Sequence, residues 1–454
     1  LTLNTTELAE RALALCEGEA QITITRERSL LSRFARSRPT QATAVDDLTV
    51  NVLVLRDGQA GSAETNLTSD DAVRAAFDRA DASARAAARS GPGDHPGLPP
   101  APEGYPTHHG WDEATAALDP SLAGASLARA FAIAADHGFE AFGIWTAGEA
   151  ETVIASSTGL RAREVVTDAY MKVICRDDAG RSGWGAGGGS AVASIDPDAI
   201  ATEAAAKVPR EDPAELGVGE YPVVLEPYAV GELLTYLSWL AFDGLAHTEG
   251  RGALDGKLGE RVAAPAINLA DSPGLARTLP RAFDFEGIRK APLPLIQDGV
   301  AHAVTYDLRS ANLAGTKTTG HAIAPGGSPS GAIPTNLVLT GGGATDSAEL
   351  AAPIERGLYV TRVWYVNPVH PKQTLLTGTT RDGTYLIEDG KISRPIRDVR
   401  FTDSILRILE ATEALTRAQR FVSDADFYGR RFATGVVCPA LRAHGFRVTG
   451  VKPT

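Results

Sequence analysis

At 454 residues the chain is too long for one ordinary core and about right for two large domains. Hydrophobic residues at 43% and charged residues at 22% describe a globular protein, and no run approaches the about 18 uninterrupted apolar residues that a membrane-spanning helix needs. A formal net charge of −12 speaks against nucleic acid as the main partner, because phosphate neutralisation requires clustered Lys and Arg.

The opening run, LTLNTTELAERALAL, has acids among its apolar residues and no basic stretch, so it does not read as a signal peptide. Residues 7–15 are expected to form a helix, followed by strands over 21–25 and 48–55. The basic stretch from Arg26 to Arg38 alternates with apolar residues as on a strand face. A small-residue link over 58–66 leads to Ser69-Asp70-Asp71, a capped and acidic helix start, and an Ala-rich helix to residue 88. Residues 90–106, rich in Pro and Gly, read as a solvated loop ending near His108 and His109. Roughly 120 residues on, the order recurs. A helix over 126–137, strands over 140–145, 151–156 and 169–176, and a small-residue link over 180–194 precede a helix from Asp196-Pro197 to about residue 208.

Residues 1–212 are therefore expected to be an α+β domain in which two α-β-β-β-α repeats share a sheet, with 211–219 as a linker. Residues 213–454 change character. One apolar helix is followed by strands over 262–269 (weakened by Pro265), 303–307, 335–339, 357–365, 375–381 and 383–388, a Glu388-Asp389-Gly390-Lys391 turn and a helix over 404–417. This part is expected to be mainly β, barrel-like or sandwich-like, around one buried helix. Cys16, Cys175 and Cys438 are far apart without CxxC spacing, which suits a reducing compartment and a cytoplasmic location. Cys438, in an apolar run, reads as a buried inert thiol.

Motifs for common chemistry are missing. The run from Gly183 to Gly188 matches GxGxxG, but the helix after it starts late and no strand with a terminal acid follows, so cofactor binding is not expected and the run reads as a flexible hairpin or edge segment. Neither a GxSxG elbow nor a phosphate loop is present. His247, His302, His321 and His370, with Glu226, Asp243 and Asp307, match no metal-ligand spacing.

The apolar helix is the most informative segment. Val230, Leu233, Leu234, Leu237, Leu240 and Ala241 fall at helical spacing, and Tyr236, Trp239 and Phe242 extend the apolar surface. With the preceding strand it forms VVLEPYAVGELL, from Val223 to Leu234. This segment, Phe283-Asp284-Phe285-Glu286-Gly287, Thr318-Thr319-Gly320-His321, Pro334-Thr335-Asn336 and the run from Tyr385 to Ile392 together resemble the TldD/PmbA family over nearly the whole chain.

The resemblance implies a peptidase complex in which TldD-type members carry HExxxH on this helix, two zinc-binding His and a general-base Glu. Here Thr235 and Leu240 stand at the two His positions and Tyr236 at the Glu position. Threonine is a poor zinc ligand, leucine is none, and tyrosine is no base at neutral pH. The chain thus looks like a TldE (PmbA)-type subunit, with no cofactor of its own. Zinc is expected on a TldD-type partner, and the pair would enclose a chamber for small or unfolded peptides or peptide-derived natural products. The resemblance leaves Glu226, His321, Asn336 and Tyr365 as candidates for substrate contact, and the strands over 357–381 as chamber walls able to pair with an extended peptide. Ala, Arg and Gly richness suits a high-GC bacterium. Two alternatives stand beside this reading: a homodimeric scaffold that has lost the chemistry, and an enzyme with a metal-free site around Glu226, Tyr236 and His321.

Overall fold

The computed structural model describes residues 4–423 and 430–451; residues 1–3 of the opening run lie outside it. The expected repeat is present. Its first unit is α1 (Thr5–Ala14), β1 (Ala20–Ala35), β2 (Arg38–Arg56), β3 (Gln59–Thr65) and α2 (Asp70–Ala88). After the short α3 (Glu113–Ala116), the second unit is α4 (Pro120–Asp136), β4 (Glu140–Ser156), β5 (Arg161–Arg176), β6 (Ser182–Gly189) and α5 (Pro197–Ala206). Ser69 caps α2 by accepting from the Ala72 N–H, and Asp196 caps α5 with Pro197 in its first turn. The six strands run β3-β2-β1-β4-β5-β6, and the two units join where β1 and β4 pair antiparallel, Gln21 opposite Ser156.

Both small-residue links are edge strands rather than links. A Cβ at Gly61 of β3 would lie 2.1 Å from the Ala80 carbonyl oxygen on α2, and Cβ atoms at Gly183 and Gly185 of β6 would lie 2.2 Å from carbonyl oxygens of α5. These glycines let helix backbone rest directly on strand backbone, and tertiary contact overrides their poor strand propensity. The separate strands expected over 140–145 and 151–156 are one strand, β4.

All the long helices of this half cover one face of the sheet. Ile22, Ile24, Val153 and Ala155 pack against α1 and α2, and Trp145, Ala147, Met171 and Val173 against α4 and α5. The opposite face meets the second half of the chain: Ile154 and Leu160 touch Phe283, and Ile144 and Tyr170 touch Tyr228. Residues 90–106 are not a solvated loop but a strap across this junction. His95 is buried, Asn312 donates to the Asp94 carbonyl, and the Tyr105 hydroxyl donates to that of Gly287. A composition that forms no core of its own can still be held by the surfaces it crosses.

In the second half β7 (Gly219–Leu225) leads into α6 (Pro227–Ala241) and α7 (Gly244–Thr248). Short strands β8 (Leu269–Asp271), β9 (Leu293–Gln297) and β10 (Val300–Ala301), helix α8 (Leu308–Leu313), β11 (Leu337–Leu339) and α9 (Ser347–Ala351) follow. The long elements come last: β12 (Arg356–His370), β13 (Leu375–Glu388), β14 (Lys391–Pro395), β15 (Val399–Ser404), α10 (Ile405–Glu410), β16 (Thr412–Val422) and β17 (Val436–Val451). The order β17-β15-β13-β12-β7, with β7 also paired to β17, closes a barrel. Leu233, Leu234 and Leu237 of α6 share its core with Leu358, Leu376, Phe401 and Leu441. Burying such a side chain stabilises by roughly 1.5–3 kcal/mol.

Four expectations differ here; the first is that the separate strands expected over 375–381 and 383–388 are one strand, β13. Residues 262–269 are irregular until Leu269, as Pro265 allows, and 303–307 contribute a single bridge, Thr305 to Asp243. The helix expected over 404–417 stops at Glu410, because Thr412–Val422 pairs with β17, and that ladder outweighs the local helical pattern. The turn after Glu388 forms as expected, with Asp389 and Gly390 at positive φ.

Candidate functional site

Helix α6 is set in place by its N-terminal residues. Pro227 sets its first turn, and Gly231 allows close approach to β16, where an added Cβ would lie 2.7 Å from Val422. Its outer surface, with Glu232, Thr235, Ser238 and Trp239, forms one wall of an open groove. Ile333, Pro334, Thr335 and Leu337 form another, and Val422, Phe432 and Val436 a third. Trp239 is 52% exposed there. The Thr235 hydroxyl donates back to the Gly231 carbonyl at 2.9 Å, and the Tyr236 hydroxyl donates to the Val366 carbonyl at 2.6 Å. Leu240 packs on the barrel core. A hydroxyl spent on its own helix, a phenol tied to β12 and an aliphatic side chain do not fit a zinc ion. Among the described residues, no group of three or more His, Cys, Asp or Glu side chains is placed to hold a metal.

Beyond Ile333, Thr335 and Phe432, which line both spaces, the groove opens into a small cavity of about 30 Å3 between the N-terminal sheet and the second half. Three of the five segments that carry the family resemblance meet here, through Phe283, Asp284 and Phe285, through His321, and through Thr335. Behind the wall lies a buried polar network. Asp271 accepts from the Asn336 backbone N–H at 2.7 Å and faces His321 Nε2 at 3.1 Å and Lys290 Nζ at 3.3 Å. Burial would raise its pKa, but Lys290 and His321 outweigh burial and hold the carboxyl well below the usual range. Burial and Lys290 lower the pKa of His321, with Asp271 opposing. Asn336 donates its side-chain amide to the carbonyls of Thr278 and Leu279, at 3.0 and 2.9 Å.

Two further acids sit alongside. Asp284 accepts backbone N–H groups from Glu286, Ile288 and Ala322, yet burial and then Glu286 push its pKa up to about 7. Glu286 accepts from the Leu308 N–H, and burial with nearby Asp307 pushes it up to about 8. Its second oxygen lies 3.8 Å from His95 Nε2, too far for a hydrogen bond.

The remaining candidates lie elsewhere. Glu226 is buried at the start of α6, where Lys207 contacts it at 2.5 Å and the Tyr359 hydroxyl donates to it. Burial raises the Glu226 pKa, with Lys207 opposing; burial also works against the Lys207 charge, but Glu226 and Glu203 outweigh it. Tyr365 is 78% exposed on β12, at φ 53°. Thus His321 and Asn336 meet through Asp271, whereas Glu226, Tyr236 and His321 engage different partners. Sequence reading missed Asp271, Lys290, Arg281 and Phe432 as neighbours of His321, since nothing in their spacing links them. Only the acids of the Phe283–Gly287 segment gave a signal. Cys438 is fully buried, its thiol pushed up by burial.

Comparison with known proteins gives a consistent picture. Residues 20–84 match the profile described as PmbA/TldA metallopeptidase domain 1, residues 112–210 the central domain and residues 218–450 the C-terminal domain. A curated metalloprotease of Methanothermobacter thermautotrophicus is 24% identical over 197 residues, 43% of each chain. The metalloprotease TldD homolog of Haemophilus influenzae is 25% identical over 248 residues, 53% of this chain and 48% of that one. The chain thus spans about half the length of these curated relatives. Among solved structures, TldE from Thermococcus kodakarensis superposes with a TM-score of 0.84 at 20% identity, covering 98% of this chain and all of that one. A Thermotoga maritima protein described as a candidate modulator of a DNA gyrase gives a TM-score of 0.85 at 20% identity, with the same coverage. At these identities the solved structures establish the fold.

Proposed function

The chain belongs to the PmbA/TldD metallopeptidase family, and from that premise we propose that it is the metal-free, TldE-type subunit of a two-component zinc peptidase. A TldD-type partner would carry the zinc, generate the attacking water and cleave small or unfolded peptides, or peptide-derived natural products. This chain would supply part of the chamber wall. The observation that supports it most is α6: its apolar face is packed in the barrel, and Thr235, Tyr236 and Leu240, which the resemblance sets at the places of two ligands and a base, are turned to hydrogen bonds and packing. The fold likeness to a TldE supports the same reading.

Substrate would contact this chain along the groove past Thr235 and Trp239. Strand pairing on β12 is disfavoured, since its outer part is interrupted by register shifts around Tyr365 and by Pro368, devices that guard strand edges. Glu226, His321 and Asn336 would shape the walls from behind. No helix of the described residues is long and apolar enough to cross a membrane, and three unpaired cysteines fit a cytoplasmic location.

Size-exclusion chromatography with a TldD-type protein from the same genome, followed by a peptide-hydrolysis assay, tests the proposal. A stable heteromer, with hydrolysis enhanced in the mixture over either protein alone, is the expected result. A homodimer that gains nothing on mixing would favour the scaffold reading instead.

A further inference from the structure

The groove along α6 has a volume and a lining that select for one kind of side chain. It holds about 230 Å3, below the roughly 300–1,000 Å3 of sites that enclose a drug-sized ligand, so it has room for one long side chain with its backbone outside. Ile333, Pro334, Leu337, Val422 and Val436 give it apolar walls. Glu232, Thr235, Ser238 and Trp239 follow one another at helical spacing and so share one face of α6. The Trp239 ring is set before any ligand arrives. It rests against Tyr236, 5.7 Å between ring centres, and the Tyr236 hydroxyl is tied to the Val366 carbonyl. Half of the tryptophan is nevertheless left open to solvent.

Four hydroxyls of the groove have committed their protons to the chain itself. Thr235 donates to the Gly231 carbonyl at 2.9 Å, Ser238 to the Thr235 carbonyl at 2.7 Å and Ser423 to the Thr434 carbonyl at 2.7 Å. Thr335 donates at 3.0 Å to Asn336 Oδ1, an oxygen fixed as such because the amide nitrogen of Asn336 donates to two carbonyls. Each of these four oxygens therefore offers lone pairs and no hydrogen. Among the described residues the charged side chain lining the groove is an acid, Glu232, and the cations Arg281 and Lys290 line the adjoining small cavity instead. A carboxylate would face acceptors here, and a purely apolar side chain would strip water from the four oxygens without replacing its hydrogen bonds. A cation on an apolar stem meets every wall: its methylenes pack on the aliphatic side chains, its head donates to hydroxyl oxygens, and the face of Trp239 attracts it. The Thr434 hydroxyl and the Trp239 indole N–H are left to meet peptide carbonyls.

We propose that the α6 groove takes one arginine or lysine side chain of a peptide, with Trp239 as the platform for its charged head and acceptors drawn from Thr235, Ser238, Thr335 and Ser423. The preference for a cation stands on the lining of the groove; that a peptide supplies it rests on the function proposed above.

Calorimetry on the full chain alone separates the two, since it needs neither partner nor activity. Acetyl-Ala-Arg-Ala-amide should bind roughly tenfold more tightly than acetyl-Ala-citrulline-Ala-amide, which keeps the shape of arginine and loses its charge, as a partly desolvated cation–π contact implies. A net charge of −12 draws any cation towards the surface, and Trp239→Leu tells that attraction from the groove. This variant should lose most of the preference and Trp239→Phe should keep part of it, with thermal unfolding confirming that both fold. Butylguanidinium, the side chain without its peptide, should bind more weakly than the arginine peptide. Equal binding of these two would leave the cation site standing and overturn the peptide as its source. No binding of the arginine peptide, equal binding of the arginine and citrulline peptides, or an unchanged preference in Trp239→Leu would overturn the site itself.

Discussion

Asp284 and Glu286 give the folded protein a pH dependence that can be traced to individual side chains. Burial and neighbouring acids raise them to about 7 and about 8, above the range near 4 where carboxyls titrate in an unfolded chain. Through the interval between, the folded protein holds protons that the unfolded chain has released, so stability falls as pH rises from about 5 to about 8. Asp271 works the other way: held low by Lys290 and His321, it contributes stability that is lost as pH falls below about 4. Chemical unfolding across this range should show the alkaline decline. Glu286→Gln should flatten it by up to about 1.4 kcal/mol per pH unit, whatever that variant's absolute stability. An unchanged slope would mean that Glu286 is ionised in the folded protein. None of this was legible in the sequence beyond the presence of two acids in Phe283–Gly287. Their environment is made by Asp307, by the strap at His95 and by residues 320–322, brought together only by folding.

At the scale of elements, helices were easier to read than strands. Ser69 and Asp196 announced α2 and α5, because a cap is a local hydrogen bond and leaves a local signature. The edge strand β3 reads as a link and β6 only as a link or a flexible hairpin or edge segment, because their glycines answer to helices that pack across them, and the local helical pattern that runs to residue 417 yields to the ladder of β16 with β17. Helix α6 was legible throughout, and its two surfaces can be tested apart. Tyr236→Phe removes the donor to Val366 and should cost about 1 kcal/mol, whereas Thr235→Ala, in the groove, should be close to neutral. Gly231→Ala gains helix propensity worth roughly 1 kcal/mol but forces its methyl against Val422, and should destabilise on balance. Urea unfolding of the three variants checks the order; a stabilised Gly231→Ala would show that α6 does not rest on β16.

At the scale of the molecule, the six-stranded sheet and the barrel meet through side chains far apart in sequence. Arg431, after β16, lies buried across the first sheet, paired to Asp168 at 2.6 Å and donating to Thr146 at 3.0 Å. Gly148 leaves room for it, since a Cβ there would stand 2.5 Å from its Nε. The groove and cavity exist because this junction holds Phe432 between them. No sequence pattern reports such a junction, although the segments that line it carried the family resemblance. The proposed role as a metal-free subunit rests on Thr235, Tyr236 and Leu240 of α6. Elemental analysis of the purified chain, expressed with zinc in the medium and desalted without chelator, is the most direct test. A metal-free subunit should retain zinc far below one ion per chain, and stoichiometric zinc surviving desalting would contradict it.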